Sequence, residues 1–130
     1  LGERALHVAV KIGNLEIVRL LLKGDRADVN ATDNRGYTPL LVACSFQYSP
    51  AGMVRLLLEA GADPALAGKD GCTPLHVVAL SEDMDKVDIL YPRAPATLNC
   101  CTPDHRTPLF MACMVGNERL VSKLLSLGAM

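Results

Sequence analysis

One tripeptide recurs at nearly constant spacing, and this limits the chain to architectures built from a stacked unit. Thr38-Pro39-Leu40, Thr73-Pro74-Leu75 and Thr107-Pro108-Leu109 place their leucines 35 and 34 residues apart. A weaker copy, Arg4-Ala5-Leu6-His7, precedes Leu40 by 34 residues, leucine to leucine. Small apolar residues follow each copy: Val8-Ala9, Val42-Ala43, Val77-Val78-Ala79 and Met111-Ala112. A second block then comes round: Ile17-Val18-Arg19-Leu20-Leu21-Leu22, Met53-Val54-Arg55-Leu56-Leu57-Leu58, Lys86-Val87-Asp88-Ile89-Leu90-Tyr91 and Leu120-Val121-Ser122-Lys123-Leu124-Leu125. Self-similarity at this period marks a repeat array. It divides the chain into units of approximately 1–33, 34–68, 69–102 and 103–130.

The physics of one unit follows from its residues. Thr is a good N-cap and Pro is pre-shaped for the first helical position, so Thr-Pro starts a helix. Leu40, Ala43 and Cys44 fall on one face of it. After a turn, Asn14, Ser49, Asp83 and Asn117 sit where a second cap is wanted, with Pro50 at a first helical position. The second helix buries its Val and Leu-Leu positions and stops near Gly24, Gly61 and Gly128. In the third unit Pro92 ends it instead. Polar stretches, Asp33-Asn34-Arg35-Gly36 and Gly68-Lys69-Asp70-Gly71, turn the chain toward the next Thr-Pro. One helix pair cannot hide its apolar face, but stacked pairs can. The predicted fold is therefore all-α, a solenoid of helix-turn-helix units. A mean hydropathy of +0.23, high for a soluble chain, fits helices covered on both sides.

Thr73-Pro74-Leu75-His76-Val77-Val78 closely resembles the ankyrin repeat signature, as do Gly13-Asn14-Leu15-Glu16-Ile17-Val18 and Gly61-Ala62-Asp63. The resemblance covers the chain as four repeats. It implies hairpin-like finger loops between helix pairs, and a concave face made by the fingers and the first helices. There are departures from the pattern. One extra residue lies in 24–28, two in 46–50 and one in 92–97. Lys86 and Tyr91 replace apolar residues, so the second helix of the third unit is expected to be weak. His105 stands where Gly36 and Gly71 stand, and if φ is positive there the third finger should be looser. Neither end unit carries a polar outer face, so a fragment of a longer protein with further repeats or domains is expected.

Composition narrows the function. The chain has 130 residues, a net charge of −1 and five aromatics, which gives no footprint for nucleic acid. Its longest apolar run, Leu109 to Val115, is far short of the roughly 18 residues of a membrane span. No leader is visible, and five cysteines without a secretory signal read as reduced thiols, so a cytoplasmic or nuclear setting is expected. No catalytic, metal or cofactor motif is present. Cys100-Cys101…His105 lacks the paired spacing of zinc ligands, Cys72 and His76 are not read as a nucleophile pair, and Cys44 and Cys113 read as small packing residues. The acidic group Glu82, Asp83, Asp85 and Asp88 reads first as charge at a helix start, with a basic partner surface as the sharper option.

Surface recognition remains. The expected function is a non-catalytic interaction module, in the manner of a scaffold or adaptor, binding a protein or peptide through fingers and first helices. The alternatives are a regulatory domain of a larger enzyme or ubiquitin-ligase adaptor, and a thiol-based redox or small-ligand sensor using Cys72, Cys100 or Cys101. Candidate contact residues at variable positions are Thr32, Asn34, Arg35, Tyr37, Phe46, Tyr48, Lys69, Asp70, Asp104 and Arg106. On the first helices they are Lys11, Ile12, Ser45, Ser81, Met114 and Val115. Tyr37, Arg35, Phe46 and Tyr48 come first, since aromatics and Arg are frequent anchors. The resemblance further implies that Asn30 can be hydroxylated by an oxygenase that prefers a leucine eight residues earlier, here Leu22; for Asn99 that residue is Tyr91.

Overall fold

The computed structural model describes residues 4–24, 27–45 and 49–130. The candidate residues Phe46 and Tyr48 lie outside these. Among the described residues there are eight α-helices and no strand. They are α1 Ala5–Ile12, α2 Leu15–Lys23, α3 Pro39–Ser45, α4 Ala51–Glu59, α5 Pro74–Ser81, α6 Met84–Leu90, α7 Pro108–Val115 and α8 Glu118–Ser126. Short 3-10 turns, Tyr91–Arg93 and Pro95–Asn99, follow α6. Each first helix packs antiparallel to its second, and α1, α3, α5 and α7 form a continuous row. In the second row only α4 and α6 pack as extensively, so the first helices lie on the inner side of the curve.

Stacking explains which positions are buried. Ile17, Met53, Lys86 and Leu120 occupy one register of the second helices. The last three are fully buried against the preceding pair, whereas Ile17, with no described pair before it, is 41% exposed. At the other end, His7, Leu41 and His76 are buried beneath the following pair, while Phe110 at the same register is 47% exposed. Cys44 and Cys113 also share a register. Cys44 is fully buried, but Cys113 is exposed, which corrects the reading of both as packing residues. Its side faces the end of the row, where no described helix pair covers it.

Helix ends follow the sequence chemistry with two exceptions. Asn14 Oδ1 accepts from Ile17 N, Asp83 Oδ1 from Asp85 N and Lys86 N, and Asn117 Oδ1 from Leu120 N. Thr38 and Thr107 Oγ1 accept from Leu41 N and Phe110 N. Ser49 does not cap α4. That helix starts one residue later than expected, with extended Pro50 at the cap and Met53 N donating to Pro50 O. Gly61 and Gly128 have left-handed φ of 99° and 101°, but Gly24 has φ −89° and follows α2 without the left-handed turn.

The second helix of the third unit is short, seven residues against nine in the other three. Pro92 passes it into a 3-10 turn. Lys86 does not loosen it. Its stem is buried and its Nζ donates to Ala43 O at 3.0 Å, with Asp83 Oδ2 at 3.6 Å.

Among the described residues two non-glycines hold left-handed backbone, Glu82 at φ 63° and His105 at φ 62°. Glu82 ends α5 where Gly13 and Gly116 end α1 and α7. A β-carbon there costs roughly 1–2 kcal/mol, offset in part by the entropy a glycine loses on folding. Glu82→Gly and His105→Gly should each therefore raise stability by roughly 0.5–1 kcal/mol. Urea unfolding midpoints, compared at unchanged slope, check this.

Candidate functional site

Between helix pairs the chain makes three fingers with one common bonding pattern. Asp33 N donates to Tyr37 O and Gly36 N to Asp33 O; Gly68 N to Cys72 O and Gly71 N to Gly68 O; Thr102 N to Arg106 O and His105 N to Thr102 O. The third finger keeps both bonds, at 3.0 and 2.8 Å, despite His105 at its positive-φ position. The fingers are thus tight turns, not strands.

In the first finger Asp33 organises its neighbours. Oδ1 accepts from Arg35 N and Tyr37 N, both at 2.9 Å, and Oδ2 accepts from the Arg35 guanidinium at 3.2 Å. Burial alone would raise the Asp33 pKa, but these donors outweigh it and hold the carboxyl below its ordinary 3.8. The same guanidinium lies 4.5 Å over the Tyr37 ring. Tyr37 reaches the second finger, its hydroxyl donating to Asp70 Oδ2 at 2.7 Å. Burial, then the Asp70 carboxylate, keep that hydroxyl protonated well above its ordinary range. The ring lies over Gly68, where an added Cβ would fall 2.4 Å from a Tyr37 ring carbon. Lys69 N adds a backbone bond to Arg35 O at 3.0 Å.

The third finger joins the second differently. Pro103 stands at the register of Lys69 and has no N–H to give. Instead its ring packs against Gly71, close enough that a Cβ there would meet Cδ at 2.3 Å. Arg106 lies 5.8 Å over the Phe110 ring. Beneath the fingers, His7 Nε2 is 2.8 Å from Tyr37 O, and His76 Nε2 is 2.9 Å from Arg106 O. Since His76 Nδ1 accepts from Thr73 N, its Nε2 carries the proton given to Arg106 O. Burial lowers the His76 pKa from its ordinary 6.5.

The inner face below the fingers is mostly apolar. Ile12, Leu80, Met114 and Val115 are exposed on the first helices, Leu80 by 45%. Between α3, α5 and the first two fingers lies a hollow of about 240 Å³, lined by Tyr37, Ser45, Asp70, Cys72, Val77, Leu80 and Ser81.

A family model described as ankyrin repeats, in three copies, matches residues 1–67 and 48–130. The chain belongs to the ankyrin repeat family. Similar proteins include the human transient receptor potential cation channel subfamily A member 1, 31% identical over 95% of this chain and 12% of the relative. Mouse Rabankyrin-5 is 30% identical over 98% of this chain and 11% of its own length. Mouse protein phosphatase 1 regulatory subunit 27 is 44% identical over 59% of this chain and 48% of its length. The chain thus spans less than half of each of these relatives.

On this ankyrin frame the candidate residues separate into groups. Thr32, Asn34, Arg35, Lys69, Asp70 and Asp104 are exposed on the fingers, and Arg106 is half-buried against Phe110. Tyr37 is half-buried and tied to Asp70 and Gly68, so it joins fingers as well as offering a surface. Asn30 is bound to the next unit: Oδ1 accepts from Asp63 N at 2.9 Å, and Nδ2 donates to Gly61 O at 3.4 Å. Asn99 repeats this with Met130 N and Gly128 O.

Leu80 was missed, although its register, that of Lys11, Ser45 and Met114, marks it as a first-helix surface position. The thiols do not converge. Burial raises the Cys72 pKa, and the Asp70 charge adds to this; Cys44 is pushed up to about 12. Among the described residues no group of three or more His, Cys, Asp or Glu side chains is placed to hold a metal. No described helix is long and apolar enough to cross a membrane.

Two glycines, Gly71 in the second finger and Gly61 after α4, separate backbone strain from packing. At Gly71 a β-carbon meets both a φ of +80° and the Pro103 ring, whereas at Gly61, φ +99°, it meets open space. Gly61→Ala should cost only the backbone strain less the entropy a glycine loses on folding, roughly 0.5–1 kcal/mol net. Gly71→Ala should cost more by at least about 1 kcal/mol of overpacking. Equal losses in chemical denaturation would show that Pro103 yields freely.

Proposed function

We propose that the chain is a non-catalytic module that binds a protein or peptide partner through its fingers and the inner face of its first helices. The observation that carries this reading is the exposed apolar strip of Leu80, Met114 and Val115 beneath fingers whose polar residues point outward. Exposed aliphatic and methionine side chains beside charged rims suit an adaptable contact surface. The fingers and helix caps are already hydrogen-bonded, so little ordering accompanies association. A scaffold or adaptor role in the cytoplasm or nucleus fits five free thiols. For Cys72 a thiol-sensor reading has less support, since its raised pKa leaves little thiolate.

The test is affinity capture followed by titration of the captured partner. Leu80→Asp with Met114→Asp should weaken binding tenfold or more, about 1.4 kcal/mol. Arg55→Ala on the opposite, outer row should leave it within twofold. Equal affinity for all three proteins would place the contact elsewhere. These variants are cleaner probes than Tyr37→Ala, because Tyr37 also joins the fingers.

Hydroxylation of Asn30 belongs to the same proposal. Both amide atoms are engaged in backbone bonds of the next unit, so an oxygenase would meet this segment only after local opening. Peptide mass spectrometry of protein from oxygenated cells should find one added oxygen on Asn30. Its absence at full coverage would remove the site.

A further inference from the structure

The hollow between α3, α5 and the first two fingers has a one-sided hydrogen-bonding character. Its floor is apolar, formed by Val77 and Leu80. Each hydroxyl around it has its proton committed inward. Ser45 Oγ donates to Leu41 O at 2.8 Å, Ser81 Oγ to Val78 O at 3.0 Å, and the Tyr37 hydroxyl to Asp70 Oδ2 at 2.7 Å. What these groups still present is lone pairs. Asp70 is the one charged residue among the described lining residues, and it receives Tyr37 on Oδ2 and Cys72 N on Oδ1. The Cys72 thiol hydrogen-bonds the same carboxylate, so of its roughly four acceptor sites about one remains. With its thiol turned to Asp70, Cys72 adds a weak donor that is already engaged.

We infer that this hollow receives a lysine or arginine side chain from a partner polypeptide, its methylene stem over Val77 and Leu80 and its cationic head on Asp70. The inference rests on the interaction-module reading and adds the chemistry of the anchor. Long basic side chains are apolar along the stem and donor-only at the tip, which complements an acceptor-lined apolar hollow. Size agrees: about 240 Å³ is below the roughly 300–1,000 Å³ of small-molecule pockets, and suits one side chain. Arg35 at the rim does not compete for Asp70, since its guanidinium bonds Asp33 and lies over the Tyr37 ring. An acidic or hydrogen-bond-accepting side chain would meet acceptors and a weak thiol already bonded to Asp70.

Phage-displayed random peptides, selected in parallel on the intact chain and on Asp70→Asn, test this. Selection on the wild-type chain should enrich peptides with Lys or Arg beside an apolar residue. A synthetic copy of the leading peptide should lose tenfold or more in affinity for Asp70→Asn, and as much when its basic residue becomes Gln. In the Asp70→Asn background the Gln change should cost less than threefold, since the pair is already broken. Leu80→Lys, which places a competing ammonium at the hollow, should abolish binding while leaving Asp70 in place. Binders without a basic residue, lost on Leu80→Lys but kept on Asp70→Asn, would overturn the inference and leave the interaction module standing. Finding no binder sensitive to Leu80→Lys or to Leu80→Asp with Met114→Asp would overturn both.

Discussion

Every helix pair in this chain depends on its neighbour to remove its apolar face from water. The dependence is visible at a single register. Met53, Lys86 and Leu120 are fully buried and Ile17 is not, though the four occupy equivalent positions on equivalent helices. The local sequence does not make the difference, because Ile is as apolar as any of them. Position in the row does. Stability in such an array is approximately a sum of nearest-neighbour interfaces, so each interface matters in its own right, and the second along this row is built differently from the other two.

The first and third interfaces use histidine. His7 and His76 sit under the following finger and reach Tyr37 O and Arg106 O, so one ring fixes its own helix start and the next turn together. In the second interface Leu41 takes that register and can make no such bond. Three other links join those units: Lys69 N to Arg35 O, Tyr37 to Asp70, and Lys86 Nζ to Ala43 O. The last falls on a carbonyl near the end of α3. The last carbonyls of a helix lack intrahelical donors. At Ala9 and Ala112 the glycine after the helix supplies one, through Gly13 N and Gly116 N. Ala43 holds the same register, and Lys86 Nζ from the next unit donates to its carbonyl.

This explains how far the residues could be read in advance. Helix starts were legible because capping is local: Thr38, Thr107, Asn14, Asp83 and Asn117 each act within three residues of themselves. The positive φ at His105 was legible because two glycines share its register. Features that cross units were not. Lys86 reads as a poor substitute for a branched apolar residue until its partner, 43 residues away, is known. Tyr37 reads as a free anchor until Asp70 is seen to accept its hydrogen bond. Ser49 followed by Pro50 reads as a cap, but the helix begins beyond the proline. Cys113 reads as core because Cys44 is core, though only one of the two has a neighbour over it.

The same distinction governs the candidate site. Its composition could be guessed from variable positions, but its polarity could not, because a hydroxyl is donor or acceptor according to where its proton goes. Ser45 and Ser81 bond their own helices, and Tyr37 bonds the next finger. Three residues that look amphoteric in the sequence therefore face the hollow as acceptors, alongside the Asp70 carboxylate. The bond that staples two fingers also helps to set the hollow's preference for a donor. Rigidity and selectivity here come from one interaction, so a change at Tyr37 would alter both, whereas a change at Leu80 would alter contact with little effect on the stack.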